Sequence, residues 1–171
     1  MKKILNILIT AFSLLLPSIS HSQNFAMEQP VIIKMSLLPA GPYGGNWRVT
    51  LEESSSSSGA KVEFSTRPGL ELSEFTGSSL LKRDPVQNIK QTLSTQKFYT
   101  LPNSISADAV ALHQPIYRIE VCSNQQCHKV NVYDPATVPN KQHLERFNII
   151  WDAIMENLPM WPSGWPVTTV N

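Results

Sequence analysis

The sequence predicts a single α+β domain: an antiparallel sheet of about five strands, packed on one face by a C-terminal helix with a shorter helix beside it. Three observations lead there. Several short segments alternate apolar and polar residues with period two. Two stretches, after Asp84 and after Lys141, repeat apolar residues every three or four positions. The most apolar run of the chain lies at its start and has the form of a secretory signal peptide, so it drops out of the fold.

That first segment spans Met1 to Ser22. Lys2 and Lys3 give a positive start, and Ile4 to Leu16 form an apolar run broken only by Asn6, Thr10 and Ser13. Pro17 ends the run, and Ser20 and Ser22 place small residues at −3 and −1 of a cut before Gln23. The run falls short of the roughly 20 apolar residues that a membrane span requires. It reads as a cleaved bacterial signal that sends the protein to the periplasm or outside the cell. No cysteine lies near the cut, which argues against a lipoprotein.

Residues 23–30 form a polar leader, 31–158 a single α+β domain, and 159–171 a tail rich in Trp and Pro. Val31 to Leu38 alternates, with Val31, Ile33, Met35 and Leu37 on one face and Lys34 and Ser36 on the other. Pro39 to Asn46 is dense in Gly and Pro and reads as a loop. Trp47, Val49 and Leu51 point inward in a second strand, with Arg48, Thr50 and Glu52 outward. Ser54 to Gly59 reads as a flexible connection, and Ala60, Val62 and Phe64 as a third strand completing a meander. Arg67 to Lys82 shows no clean period and is expected to be irregular. Asp84-Pro85 is expected to open the short helix, with Asp84 as its cap, and Val86, Ile89 and Leu93 on its apolar face. The helix should end before Phe98, and Leu101-Pro102 should begin an exposed loop through Gln114.

The hairpin from Ile116 to Tyr133 is the best-defined element. Setting Cys122 opposite Cys127 puts Val121 against His128, Ile119 against Val130 and Tyr117 against Val132 on one face. The same register puts Glu120 against Lys129 and Arg118 against Asn131 on the other. Ser123 to Gln126 are expected to form a four-residue loop. From Lys141 the longer helix carries Leu144, Phe147, Ile150, Trp151, Ile154 and Leu158 on one stripe, and Pro159 stops it. Glu145, Arg146, Asp152 and Glu156 fall mostly off that stripe.

Removing 22 residues leaves 149, one domain's worth. The balance becomes 12 Lys and Arg against 13 Asp and Glu, a formal charge of −1. No basic block points to nucleic acid, and no integral membrane segment remains after signal cleavage. Two cysteines in an exported chain read as one disulfide, Cys122 to Cys127. Their four-residue spacing is not that of redox-active pairs.

No G-x-S-x-G turn marks a nucleophile, no D-x-D-x-D run marks calcium, and Gly41 to Gly45 lacks the lysine of a phosphate loop. The sequence therefore predicts neither an enzyme nor a cofactor or metal. It predicts an exported binding protein: an inhibitor or immunity-type protein directed at a secreted or periplasmic hydrolase, whether a protease or a toxin-like enzyme. Candidate partner contacts are Tyr43, the hairpin tip Ser123, Asn124, Gln125 and Gln126, and Trp161 and Trp165 in the tail. An alternative is an envelope accessory domain that binds a small ligand or assists assembly, with an apolar pocket between sheet and helix.

The order of elements resembles a family. Gly44-Gly45 leads into a strand, and Phe98-Tyr-Thr-Leu-Pro102 follows a short helix. Tyr117-Arg-Ile-Glu-Val121, His128-Lys-Val-Asn-Val132 with Asp134, and a final helix of L-x-x-F-x-x-I-x-x-x-I type complete the order. Across Val31 to Leu158 this is similar to the emfourins, small inhibitors of thermolysin-like metalloproteases such as protealysin. The resemblance implies the fold and an inhibitory role. The 67–82 segment, the disulfide and the Trp-Pro tail depart from it, and no inhibitory residue carries over.

Overall fold

The computed structural model describes residues 29–38, 46–55, 59–67, 75–107 and 114–159. The predicted signal segment, most of the predicted leader, Tyr43, and the part of the tail with Trp161 and Trp165 lie outside them.

The first three strands form where the alternation predicts: β1 (Val31–Leu38), β2 (Asn46–Glu53) and β3 (Gly59–Arg67). They pair antiparallel as a meander, with Ile33 opposite Leu51 and Leu51 opposite Val62. The inward rows are buried: Val31, Ile33, Met35, Leu37, Val49, Leu51 and Val62.

The irregular reading of residues 67–82 is corrected. Phe75–Lys82 is a fourth strand, β4, antiparallel to β3. Its pattern hides this because its inward positions are Gly77, Ser79 and Leu81, while Leu80 points out and is 82 % exposed. Edge pairing through backbone groups holds it there rather than an apolar face. At the crossing to β3, a Cβ on Gly59 would stand 2.2 Å from the Leu81 carbonyl oxygen, so only glycine fits.

The chain passes straight from β4 into helix α1 (Arg83–Thr95). Lys82, still paired with Gly59, takes the N-cap position and makes no capping bond with its side chain. Asp84 is therefore not the expected cap. It lies in the first turn, where its carboxylate meets the positive end of the helix, and Pro85 sits in the same turn. Val86, Ile89 and Leu93 are buried as the spacing predicts.

Helix α1 ends at Thr95, and Lys97, just past its end, is left-handed with a φ of 48°. A single 3₁₀ turn over Phe98–Thr100 follows. The expected exposed loop begins instead with Leu101, 3 % exposed, and contains a two-residue strand, β5 (Ser104–Ile105). The hairpin strands are β6 (Ile116–Ser123) and β7 (Gln126–Tyr133), and β5 runs parallel to β7.

Seven strands thus form one mixed sheet in the order β4-β3-β2-β1-β6-β7-β5, where five antiparallel strands were expected. The hairpin docks beside β1, with Ile33 opposite Val121 and Met35 opposite Ile119.

Helix α2 (Lys141–Asn157) starts at Asn140, whose side chain accepts a hydrogen bond from the His143 backbone N–H at 3.1 Å. Its stripe is buried as predicted. Trp151 anchors it to the sheet, with ring centroids 5.5 Å from Trp47, 5.2 Å from Tyr117 and 5.9 Å from Phe147. Arg146, off the stripe, donates to the carbonyls of Gln96 (2.6 Å) and Lys97 (2.8 Å) and so caps the end of α1. Both helices lie on the inward face, so among the described residues no helix covers the opposite face of the sheet.

Candidate interaction surface

The hairpin register matches the predicted one pair for pair, including Cys122 opposite Cys127, which form a disulfide. The loop is shorter than expected. Ser123 pairs with Gln126, so only Asn124 and Gln125 form the turn. Their φ values of 50° and 63° are both left-handed, as a type I′ turn requires. Ser123 is 6 % exposed and also pairs with Val31, and its hydroxyl lies 3.5 Å from the Pro30 carbonyl. Asn124, Gln125 and Gln126 are exposed, so these three of the four tip candidates are open to a partner.

His128, next to Cys127, faces inward. Its Nε2 lies 3.0 Å from the Leu101 carbonyl oxygen and therefore carries the proton, since a carbonyl only accepts. Its ring stands edge-on to Phe98, and burial lowers its pKa. It packs the core and holds the 101–105 segment against β7. Oxygen and sulfur atoms of Glu120, Cys122 and Cys127 lie within 4.8 Å of one another. Metal binding needs thiolates, and both sulfurs are spent in the disulfide.

On that opposite face, alternation and register place side chains in rows across the strands. One row runs Glu63, Thr50, Lys34, Glu120, Lys129. Within it Lys34 meets Glu120 at 2.8 Å, while Glu63 is taken by Lys61 on its own strand. The next row runs Ser65, Arg48, Ser36, Arg118, Asn131.

Arg118 Nε donates to Asn131 Oδ1 at 2.7 Å, and Asn131 Nδ2 donates to the Asn103 carbonyl at 3.1 Å. Asn131 is 8 % exposed, so this chain of hydrogen bonds restrains the guanidinium through Nε. Ser36, between Arg48 and Arg118 in this row, is 6 % exposed.

The outward side chains of this face include Lys34, Arg48, Lys61, Lys82, Arg118 and Lys129 against Glu52, Glu63 and Glu120. Positive charge is therefore concentrated here, although the whole chain carries a formal net charge of only +1. A shallow cavity of about 220 Å³ opens beside Ser36 and Arg48, bordered by Leu38, Asn46 and Ser65. A larger one, about 910 Å³, lies at the sheet's lower end between Glu52, Lys61, Leu80 and Asp84.

Sequence reading had placed Arg48 and Ser36 outward and Arg118 opposite Asn131. It missed their common row, because that depends on the hairpin docking beside β1 across more than 80 residues of sequence. The surface thus belongs to an α+β protein with a mixed seven-stranded sheet, two helices on one face and a basic second face that no described helix covers. No known protein family and no curated protein sequence matches the chain.

Proposed function

We propose that the protein is an exported, non-enzymatic binding protein, an inhibitor or immunity-type protein that blocks a secreted or periplasmic hydrolase. The observation that carries this reading is the basic face of the sheet, which no described helix covers. Its side chains stand on strands in fixed register, and the Cys122–Cys127 disulfide staples the end of the β6–β7 hairpin. Such a surface loses little conformational freedom when a partner docks. The turn Asn124-Gln125 projects from its edge. The emfourin-like order of elements points the same way.

The test is direct. The protein is mixed with exported proteases and toxin-like hydrolases, and complex formation and residual activity are measured together. A stoichiometric complex of about micromolar affinity or tighter that silences the enzyme is the expected result. Absence of both binding and inhibition at that concentration overturns the reading.

The alternative, an accessory domain for a small ligand, draws on the cavity of about 910 Å³ at the lower end of the sheet. A ligand that raises the melting temperature without any protein partner would favour it.

A further inference from the structure

The geometry points to a carboxylate clamp on the basic face, in which Arg48 and Arg118, on either side of Ser36, grip an acidic side chain of the partner protein. This rests on the binding-protein reading above and states what that partner presents.

Strand register comes first. Arg48, Ser36 and Arg118 are direct cross-strand neighbours on β2, β1 and β6. The two arginine Cα atoms are therefore about 10 Å apart, two strand spacings. Arginine side chains easily close that distance over a short serine.

The second step is charge. The carboxylates nearest this row are already engaged, Glu120 by Lys34 and Glu63 by Lys61. Among the described residues, neither Arg48 nor Arg118 has a carboxylate partner. Two cations flank one residue without a counter-charge, so an anion seated between them lowers the free energy of both.

The third step is preorganisation. Asn131 restrains Arg118 through Nε, and among the described residues no hydrogen bond takes the terminal nitrogens, whose planar fork matches a carboxylate. Asn131 is in turn fixed by the Asn103 carbonyl. A guanidinium restrained in this way loses less rotamer freedom on binding than a free one. Basic charge on this face, set against a nearly neutral chain, also selects an acidic partner and speeds the encounter.

The experiment titrates the full chain with the acidic peptide acetyl-hexaglutamate-amide at low ionic strength, followed by ¹H–¹⁵N NMR that includes the arginine Nε–H signals. Saturable shifts at Arg48, Ser36 and Arg118 are expected. Affinity should fall about ten-fold in Arg48→Gln and in Arg118→Gln, as expected for loss of a charge-assisted bidentate contact. Lys141→Gln removes the same charge at the start of α2 and should leave affinity within about two-fold. Asn131→Ala should weaken binding less than Arg118→Gln while broadening the Arg118 Nε–H signal.

Shifts that do not saturate, or equal binding by the two arginine variants and the parent, overturn the clamp. Inorganic sulfate binding as tightly as the peptide would assign the site to a free oxyanion and overturn the partner carboxylate. If the peptide binds through the arginines but no hydrolase is captured, the clamp stands and the inhibitor reading falls. A hydrolase complex indifferent to both arginine variants gives the reverse result.

Discussion

The Lys90 ammonium lies 2.9 Å from Glu53 Oε2, and only 3 % of the lysine side chain is exposed. The same carboxylate oxygen accepts the Val31 backbone N–H at 3.1 Å, and Lys90 also donates to the Gln29 carbonyl at 3.1 Å. One buried pair therefore ties helix α1 to the end of β2 and to the point where the chain enters β1. Lys90→Met leaves a carboxylate with a single backbone donor, and Glu53→Gln leaves an ammonium without its counter-charge. Each is expected to cost about 3 kcal/mol in urea unfolding. The double variant should lose less than the two together, by about 1–3 kcal/mol, because the pair acts as a unit.

Arg146 caps α1 from the neighbouring helix, reaching Gln96 and Lys97 carbonyls and the Thr100 hydroxyl. Charged donors on carbonyls are worth more than neutral ones, so Arg146→Ala should destabilise by about 2 kcal/mol. Arg146→Lys should recover little, since an ammonium lacks the fork that reaches three acceptors. Amide hydrogen exchange in residues 92–97 should speed up in both variants.

Gln125 occupies a left-handed position with φ of 63°. A side chain there is disfavoured, and Asn-Gly is the preferred sequence for this turn. Gln125→Gly, which creates Asn-Gly, is expected to stabilise the protein by about 0.5–1 kcal/mol. Gln126→Gly, one residue into β7, should destabilise it instead. Thermal melts of the two variants make the comparison.

Cys122 and Cys127 close a ring of six residues. The chain-entropy estimate for so small a loop is about 2 kcal/mol. The double variant Cys122→Ser, Cys127→Ser should unfold at lower urea by that margin yet keep the hairpin, because seven further residue pairs on the same two strands remain. Loss of the β6–β7 cross-strand NOEs in that variant would contradict this.

Burial holds His128 below the usual imidazole pKa. Between the folded and the ordinary value of about 6.5 the unfolded chain binds a proton that the folded chain does not, so stability falls as pH falls through that interval. The contribution is complete above the ordinary value and lost below the folded one. Asp152, raised by burial and by the neighbouring Glu156, titrates with the opposite sign in the carboxylate range. Urea midpoints between about pH 7.5 and 5.5 therefore isolate the histidine. His128→Gln, which retains a donor for the Leu101 carbonyl, should flatten the slope.

Much of the fold was legible because independent local signals agreed. In the β6–β7 hairpin the apolar face, the Glu120–Lys129 pair and the cysteines all demanded one register, and that register is present. The stripe on α2 read cleanly because its apolar side chains all face the sheet. Strand β4 was illegible because an edge strand is held by backbone bonds, which leave no pattern, and its one large exposed residue, Leu80, points the wrong way for an amphipathic reading. The two-residue β5 was illegible for want of length. Its place depends on Leu101 and Ile105 being buried and on the Asn103 carbonyl meeting Asn131. The cap of α1 was misassigned because Asp84-Pro85 is a good local start, whereas sheet pairing carried Lys82 to the helix entrance.

By itself the sequence determined the α+β class, the first three strands, the hairpin register, the cysteine pair and the buried face of each helix. These depend on residues close in sequence, where periodicity and turn chemistry act. Tertiary structure alone decided that the hairpin docks beside β1, that β4 and β5 close the sheet's edges, and that Arg146 caps the other helix. It also aligned Arg48, Ser36 and Arg118 in one row. Those relationships join residues some 12 to more than 80 positions apart, and their free energy comes from burying faces against each other. Local pattern records which face is apolar and leaves open which partner it meets.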